Sequence, residues 1–179
     1  MPPLRQQLIK LGLLLVLVVA VTVVAAVIIP RLRGSSLLAT GAQAPHFTLA
    51  AGDGTRQAVP TSGPVVVEFF ETSCPHCQEE APRLCSLAGQ NPGVRFLGVD
   101  AGGDSAGSVD GFRHEHMPGC DAQRYPLLLD PGDTVTHAWQ VSAVPTVYLV
   151  RGDGSIAYAG AGTDGVDGLG TAIASLLRG

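Results

Sequence analysis

Cys74 and Cys77, separated by Pro75 and His76, are the residues of this chain whose type and spacing could do chemistry. They follow the apolar run VVVEFF (residues 65–70) and open a stretch with helical character. Two thiols three residues apart on the first turn of a helix face the same way. Such a pair can grip a metal ion, pass two electrons by closing and opening a disulfide, or staple the fold. The metal reading needs further ligands, usually a second CxxC or a His pair. No second CxxC exists, and His114 and His116 are two apart, so on a helix they point to different sides. No metal or other bound cofactor is expected, since the cysteine pair itself carries the electrons. In the redox reading Cys74 sits at the helix N-cap, where free N–H groups and the helix dipole favour a thiolate. His76 adds a partial positive charge or a hydrogen bond. Cys77, deeper in the helix, is the resolving thiol.

Such a pair needs a scaffold. Residues 45–59 read as a hairpin around Gly52-Asp53-Gly54. Val65–Phe70 reads as a strand buried on both faces. Cys74–Ala88 reads as a helix with Pro82 inside it. Val94–Val99 is a second apolar strand ending at Asp100, and 101–108 is loop. Val109–His116 is a weak helix and Leu127–Leu129 a short strand. Asp133–Trp139 is a two-turn helix with Asp133 as its N-cap. Thr146–Val150 and Ser155–Ala159 form a hairpin across Arg151-Gly152-Asp153-Gly154. Val166–Leu177 closes the chain as an amphipathic helix through Val166, Leu169, Ile173, Leu176 and Leu177. The order predicts an α/β fold: a mixed sheet with helices on both faces. Trp139 and Tyr148 are expected in the core, His46 and His137 on the surface or in loops.

Leu11–Ile29 is 19 residues without a charge. As a helix it would span about 28 Å, close to the roughly 30 Å of a bilayer core. It is longer than the apolar region of a cleaved signal peptide, and no clear A-x-A site follows it directly. The expected organisation is therefore a cytoplasmic N-terminus (1–10), a transmembrane anchor (11–29), a linker (30–44) and one domain (45–179). From Gly34 onward seven arginines, no lysine and fifteen acids give a formal charge of −8. That excess argues against nucleic acid or an anionic membrane surface as a partner.

Sixty-eight residues beyond Cys77 stands Val144-Pro145, within VSAVPTVYL. With the APHFTL opening, SCPHCQEEAP, FLGVD, YPLLLD and the RGDG hairpin, the chain over 45–177 resembles the TlpA/ResA/CcmG group. These are membrane-anchored, extracytoplasmic thiol-disulfide oxidoreductases of the thioredoxin fold. The resemblance implies that Pro145 is cis beside the disulfide and that the Val144 backbone offers strand-like hydrogen bonds to a substrate peptide. It implies two acids: Glu68, where thioredoxins carry a buried carboxylate beneath the resolving cysteine, and Glu80, where the ResA-like members have a glutamate near the site. Either could take up the proton of Cys77 during exchange. The central Pro-His resembles DsbA, but the stretch between CxxC and Pro145 is too short for the DsbA helical domain. Ser73 also stands where a Trp often precedes the first cysteine.

Cys85 and Cys120 remain. Cys85 lies eight residues past Cys77, about 12 Å along a helix, and cannot join that pair without rearrangement. Outside the cytoplasm leftover cysteines most often pair, so Cys85–Cys120 is the expected structural disulfide, with free thiols or a redox relay as alternatives. A second disulfide and an anchor both favour a domain outside the cytoplasm. The function expected is exchange with protein thiols or disulfides, with a membrane electron-exchange partner regenerating the pair; the reductive direction is slightly favoured, with a DsbA-like oxidative role as the alternative. The alternatives are a Sco-like copper protein and a peroxiredoxin. The first would need CxxxC and a distant His, for which only His137 is available. The second would need a Thr where Glu71 stands.

Overall fold

The computed structural model describes residues 12, 14–19, 22 and 37–178. The chain divides into two units, Met1–Ser36 and Leu37–Gly179. In the first, residues 14–19 are helical. Among the described residues no helix is long and apolar enough to cross a membrane. The expected anchor at 11–29 lies for the most part outside the described residues, as does the expected cytoplasmic segment 1–10.

The second unit holds seven strands: β1 (Phe47–Ala51), β2 (Arg56–Val59), β3 (Val65–Phe70), β4 (Arg95–Asp100), β5 (Leu127–Leu129), β6 (Thr146–Val150) and β7 (Ile156–Ala161). Four helices accompany them: α1 (Pro75–Gln90), α2 (Ala106–His116), α3 (Thr134–Ala138) and α4 (Gly162–Arg178). The sheet order is β2-β1-β5-β4-β3-β6-β7. β3, β4 and β5 are parallel, while β1, β2, β6 and β7 join antiparallel. Two successive crossovers step the same way across this sheet, so the rule of right-handed connections puts α1 and α2 on one face.

The alternation of β3 sorts the core into two. Val66 and Phe70 face a cluster with Leu84 of α1, Phe112 of α2 and Leu169 of α4. Val65, Val67 and Phe69 face the other, with Trp139 just beyond α3, Tyr148 and Phe47. Trp139 packs edge-on against Phe47 and Tyr148, and the Tyr148 hydroxyl donates to the Trp139 carbonyl at 2.8 Å. Burial on both faces explains why β3 is almost continuously apolar.

Four boundaries differ from expectation. The domain starts at Leu37, not residue 45: Gly41 N–H donates to the Ile156 carbonyl, Ala44 N–H to Gly154, and Ala44 is buried. That segment of the expected linker is held to the β6–β7 hairpin by backbone hydrogen bonds. Helix α2 begins at Ala106, inside the expected loop, because the Ser105 hydroxyl accepts from Ser108 N–H and caps it. Asp133 occupies the N-cap position of α3 but is left-handed (φ 53°) and caps nothing with its side chain. Asp130 takes that role, accepting from the N–H groups of Val135 and Thr136 and from the Thr136 hydroxyl. Helix α4 starts at Gly162 despite its glycines, and Leu177 is 52% exposed rather than on the apolar face. Its glycines permit close approach: a Cβ on Gly160 of β7 would stand 2.6 Å from the Gly165 Cα.

Candidate active site

Strand β3 ends at Phe70, and the loop 71–74 turns the chain into α1. This loop is pinned from the segment that follows β4. The Thr72 N–H and hydroxyl both donate to Asp104 Oδ2, at 3.1 and 2.7 Å, while Asp104 N–H donates to Asp100 Oδ2 at 2.7 Å. Asp100 is wholly buried, and burial raises its carboxyl to about 6 against the backbone hydrogen bonds from Gly102 and Asp104. Gln78 of α1 donates from its side chain to the Thr72 carbonyl at 2.8 Å. The first cysteine is thus delivered from a tied loop.

Cys74 is the N-cap of α1, with Pro75 at the first helical position, where its missing N–H costs nothing. Its Sγ accepts from Cys77 N–H at 3.2 Å, and its thiol donates to the Val144 carbonyl at 3.8 Å. Both cysteines are thiols; Cys74 is partly exposed and Cys77 is fully buried. Val144–Pro145 is a cis peptide, placed by the start of β6. The structure thus brings Cys74, Cys77, Val144 and Pro145 together although Pro145 lies 68 positions beyond Cys77.

Beneath them lies Glu68, 3% exposed. Burial raises its carboxyl to about 7, Tyr125 opposes by hydrogen bonding, and the charge of Glu80 adds to the rise. The Tyr125 hydroxyl donates to Glu68 Oε2, while Oε1 is buried without a partner among the described residues. Cys77 is pushed well above the usual thiol range, first by burial, then by its contact with Cys74, with the charge of Glu68 contributing. The two groups act on each other by charge without a direct hydrogen bond, and both hold their protons more tightly than usual, so each could exchange a proton with the other.

Glu80 is also buried, at 4% exposure, but it is paired: Arg83 Nη1 donates to both its oxygens, at 2.9 and 2.8 Å, and Arg83 Nη2 reaches Asp167 of α4. It is therefore an anchored carboxylate tying α1 to α4. His76 points outward, its side chain 67% exposed and 3.6 Å from Glu79. Cys85 and Cys120 are joined across a sequence separation of 35. Among the described residues no group of three or more His, Cys, Asp or Glu is arranged to hold a metal ion.

Sequence reasoning missed Tyr125, Asp104 with Thr72, and Arg83. Tyr125 was visible only as part of YPLLLD. Nothing local marks a tyrosine 57 residues away as the partner of a buried acid.

Residues 40–159 match the AhpC/TSA family. The chain belongs to the AhpC/TSA family. Within it, the chain is similar to thiol-disulfide oxidoreductase ResA of Bacillus subtilis, 28% identical over 165 residues, covering 89% of this chain and 87% of that protein. It is also similar to the thiol:disulfide interchange protein DsbE homolog of Paracoccus denitrificans, 34% identical over 100 residues, which are 56% of this chain and 51% of that one. Among solved structures, MTB DsbF superimposes with a TM-score of 0.64 at 24% identity, over 73% of this chain and 94% of that one. A secreted Mycobacterium tuberculosis disulfide oxidoreductase homologous to E. coli DsbE gives 0.61 at 23%, over 72% and 95%. These likenesses establish a thioredoxin-like α/β fold for this AhpC/TSA member and place it among relatives of the ResA and DsbE kind.

Proposed function

We propose that Cys74–Cys77 is the redox centre of this thiol-disulfide oxidoreductase and that it works on protein thiols and disulfides. The observation that carries the reading is the pairing of a partly exposed sulfur, at a helix N-terminus and against the Val144 carbonyl, with a buried one above an acid. Exposure assigns the order of events. In the reducing direction Cys74 attacks a substrate disulfide, forming a mixed disulfide and releasing one thiolate. Cys77 then gives its proton to Glu68 and attacks Cys74 Sγ. The second substrate thiolate leaves, the Cys74–Cys77 bond forms, and two electrons have passed to the substrate. The opposite direction is the same path reversed.

Val144 and cis-Pro145 form the edge at which a substrate strand docks, its backbone pairing with that of Val144. Glu68 is the proton acceptor. Glu80 holds α1 to α4 through Arg83, and His76 lines the exposed rim of the site. Cys85–Cys120 is structural. The domain works outside the cytoplasm, tethered through residues 11–29, and a membrane partner regenerates the pair. The direction proposed is reductive, as the TlpA-like scaffold favours, although the Pro-His dipeptide resembles an oxidant.

The test is the reduction potential of Cys74–Cys77 in the full chain. Reference values run from about −270 mV for thioredoxin to about −120 mV for DsbA. A value near the first supports a reductase; a value near the second overturns the reductive direction and makes the protein a disulfide donor.

A further inference from the structure

Strand register explains how Tyr125 reaches Glu68. Glu68 on β3 stands beside Gly98 on β4 and Val147 on β6. Registered neighbours point to the same face, so a side chain at 98 would project beside the carboxyl. Gly98 has none: a Cβ there would meet the Leu127 side chain and lie 3.4 Å from Tyr125 Cε2. The missing side chain opens a slot in the sheet face through which the phenol lies over β4 and reaches β3.

Tyr125 is fixed on all sides. It is fully buried and packs edge-on against Phe96 at 5.6 Å. Its carbonyl accepts from Arg113 Nη2 of α2 at 2.7 Å, and its N–H donates to the Asp121 carbonyl at 2.9 Å. The loop that carries it is bonded to α1 through Cys120 and Cys85. The hydroxyl thus has one orientation to offer, and it offers it to Oε2 of Glu68.

We propose that Tyr125 is a positioning residue for the exchange reaction: by holding Oε2 of Glu68 it leaves Oε1 as the atom that takes the Cys77 proton. The inference rests on the reading of Cys77 as the resolving thiol and Glu68 as its proton acceptor. In the step concerned, the Cys77 S–H bond breaks and an O–H bond forms at Oε1. The Cys77 sulfur bonds to Cys74 Sγ as the mixed disulfide breaks and releases the substrate thiolate. Glu68 later returns its proton to water. The groups that bear on Glu68 are Tyr125 from the loop before β5, and Glu80 and Cys77 from α1; Gly98 and Val147 contribute no charge. Arg113 of α2 acts on Tyr125. Burial and Glu68 push the Tyr125 hydroxyl far above its usual range, so it remains a neutral donor throughout. Donation to the carboxylate opposes burial, so Tyr125 keeps Glu68 able to lose its proton near neutral pH.

The test mixes the full chain, with Cys74 and Cys77 reduced and Cys85–Cys120 intact, with excess dithiobis(nitrobenzoate) and follows release of coloured thiolate. Attack by Cys74 releases the first equivalent, and resolution by Cys77 the second. In the unaltered chain the second phase should accelerate with pH through an inflection near 7. In Tyr125→Phe the inflection should move up by about one pH unit and the second phase at pH 7 should slow about fivefold, the first phase being unchanged. Replacing Tyr125 by fluorotyrosine, a stronger donor of nearly the same shape, should move the inflection the other way. An inflection that stays put in either variant with the first phase intact overturns the proposal. Failure of the unaltered chain to release a second equivalent would instead overturn the reading of Cys77 on which it rests.

Discussion

Cys74–Cys77 and Cys85–Cys120 both use helix α1, the first at its N-terminus and the second two turns further along. The first pair is local: two residues separate its members, both are thiols, and one is partly exposed. The second spans 35 residues and ties α1 to the loop after α2. Around the first pair stand groups that respond to charge: a backbone carbonyl, a buried unpaired carboxyl oxygen and a tyrosine hydroxyl. The apolar cluster packs against both pairs, so these polar groups are what sets the first apart. Reactivity therefore comes from the place at the helix N-terminus and the polar groups around it, not from belonging to α1 as such. The two pairs are nonetheless linked, because the loop that the second one clamps delivers Tyr125 beneath the first.

The sharpest way to break this contrast is to exchange serine for each cysteine. Cys74→Ser should lower protein disulfide exchange by at least about a thousandfold, since no other exposed thiol is placed to attack. Cys77→Ser should still attack but accumulate the mixed disulfide, visible by mass spectrometry as an adduct on Cys74. Comparable losses from Cys85→Ser with Cys120→Ser would show that the division of labour is mistaken.

That double variant should instead lose stability. Closing a loop of this length is worth about 4 kcal/mol by loop-closure entropy. Denaturant unfolding should register most of that loss, with the first equivalent of thiolate release from Cys74 preserved under native conditions.

The next effect is smaller and depends on pH. Glu68 is raised from 4.5 to about 7, so the folded state binds its proton more tightly than the unfolded one. The resulting stability is fully present below 4.5 and is lost as the pH rises through about 7. A shift of that size corresponds to about 3 kcal/mol. Glu68→Gln should remove this loss, so the variant should gain stability relative to the unaltered chain as pH rises from 4 to 8. A parallel pair of curves would remove Glu68 from the account. Asp100, raised to about 6, should give the unaltered chain a second loss of the same sign at lower pH.

Arg83→Ala should be the mildest. It strips the partner from buried Glu80 and the tie to Asp167, but Arg83 itself is half exposed. A loss of about 1–2 kcal/mol is expected, with the thiolate-release rate of Cys74 little changed.

Much of this molecule is legible in its sequence because the signals are local. The run VVVEFF predicts a doubly buried strand, CPHC places two thiols on one turn, and GDG and RGDG mark hairpins. β5 falls on Leu127–Leu129 as read. The errors share a cause. Asp133 looked like a cap because it precedes the helix, yet the Pro131-Gly132 turn swings Asp130 over the helix N-terminus instead. The apolar repeat starts the last helix at Val166 and leaves out Gly165, because its value lies in close contact with Gly160 of β7, which no local pattern reveals.

What the sequence determined by itself is the chemistry available: two thiols in a CxxC, an acid within an apolar strand, a Val-Pro far downstream and two further cysteines. Spacing and hydrophobic period suffice for that, since they act over one turn or one strand. Only the tertiary structure decided which sulfur is exposed, that Glu80 is paired while Glu68 keeps a free oxygen, and that Tyr125 reaches across Gly98 to hold it. Those outcomes depend on parallel register and on burial, and both arise when strands distant in sequence are packed side by side.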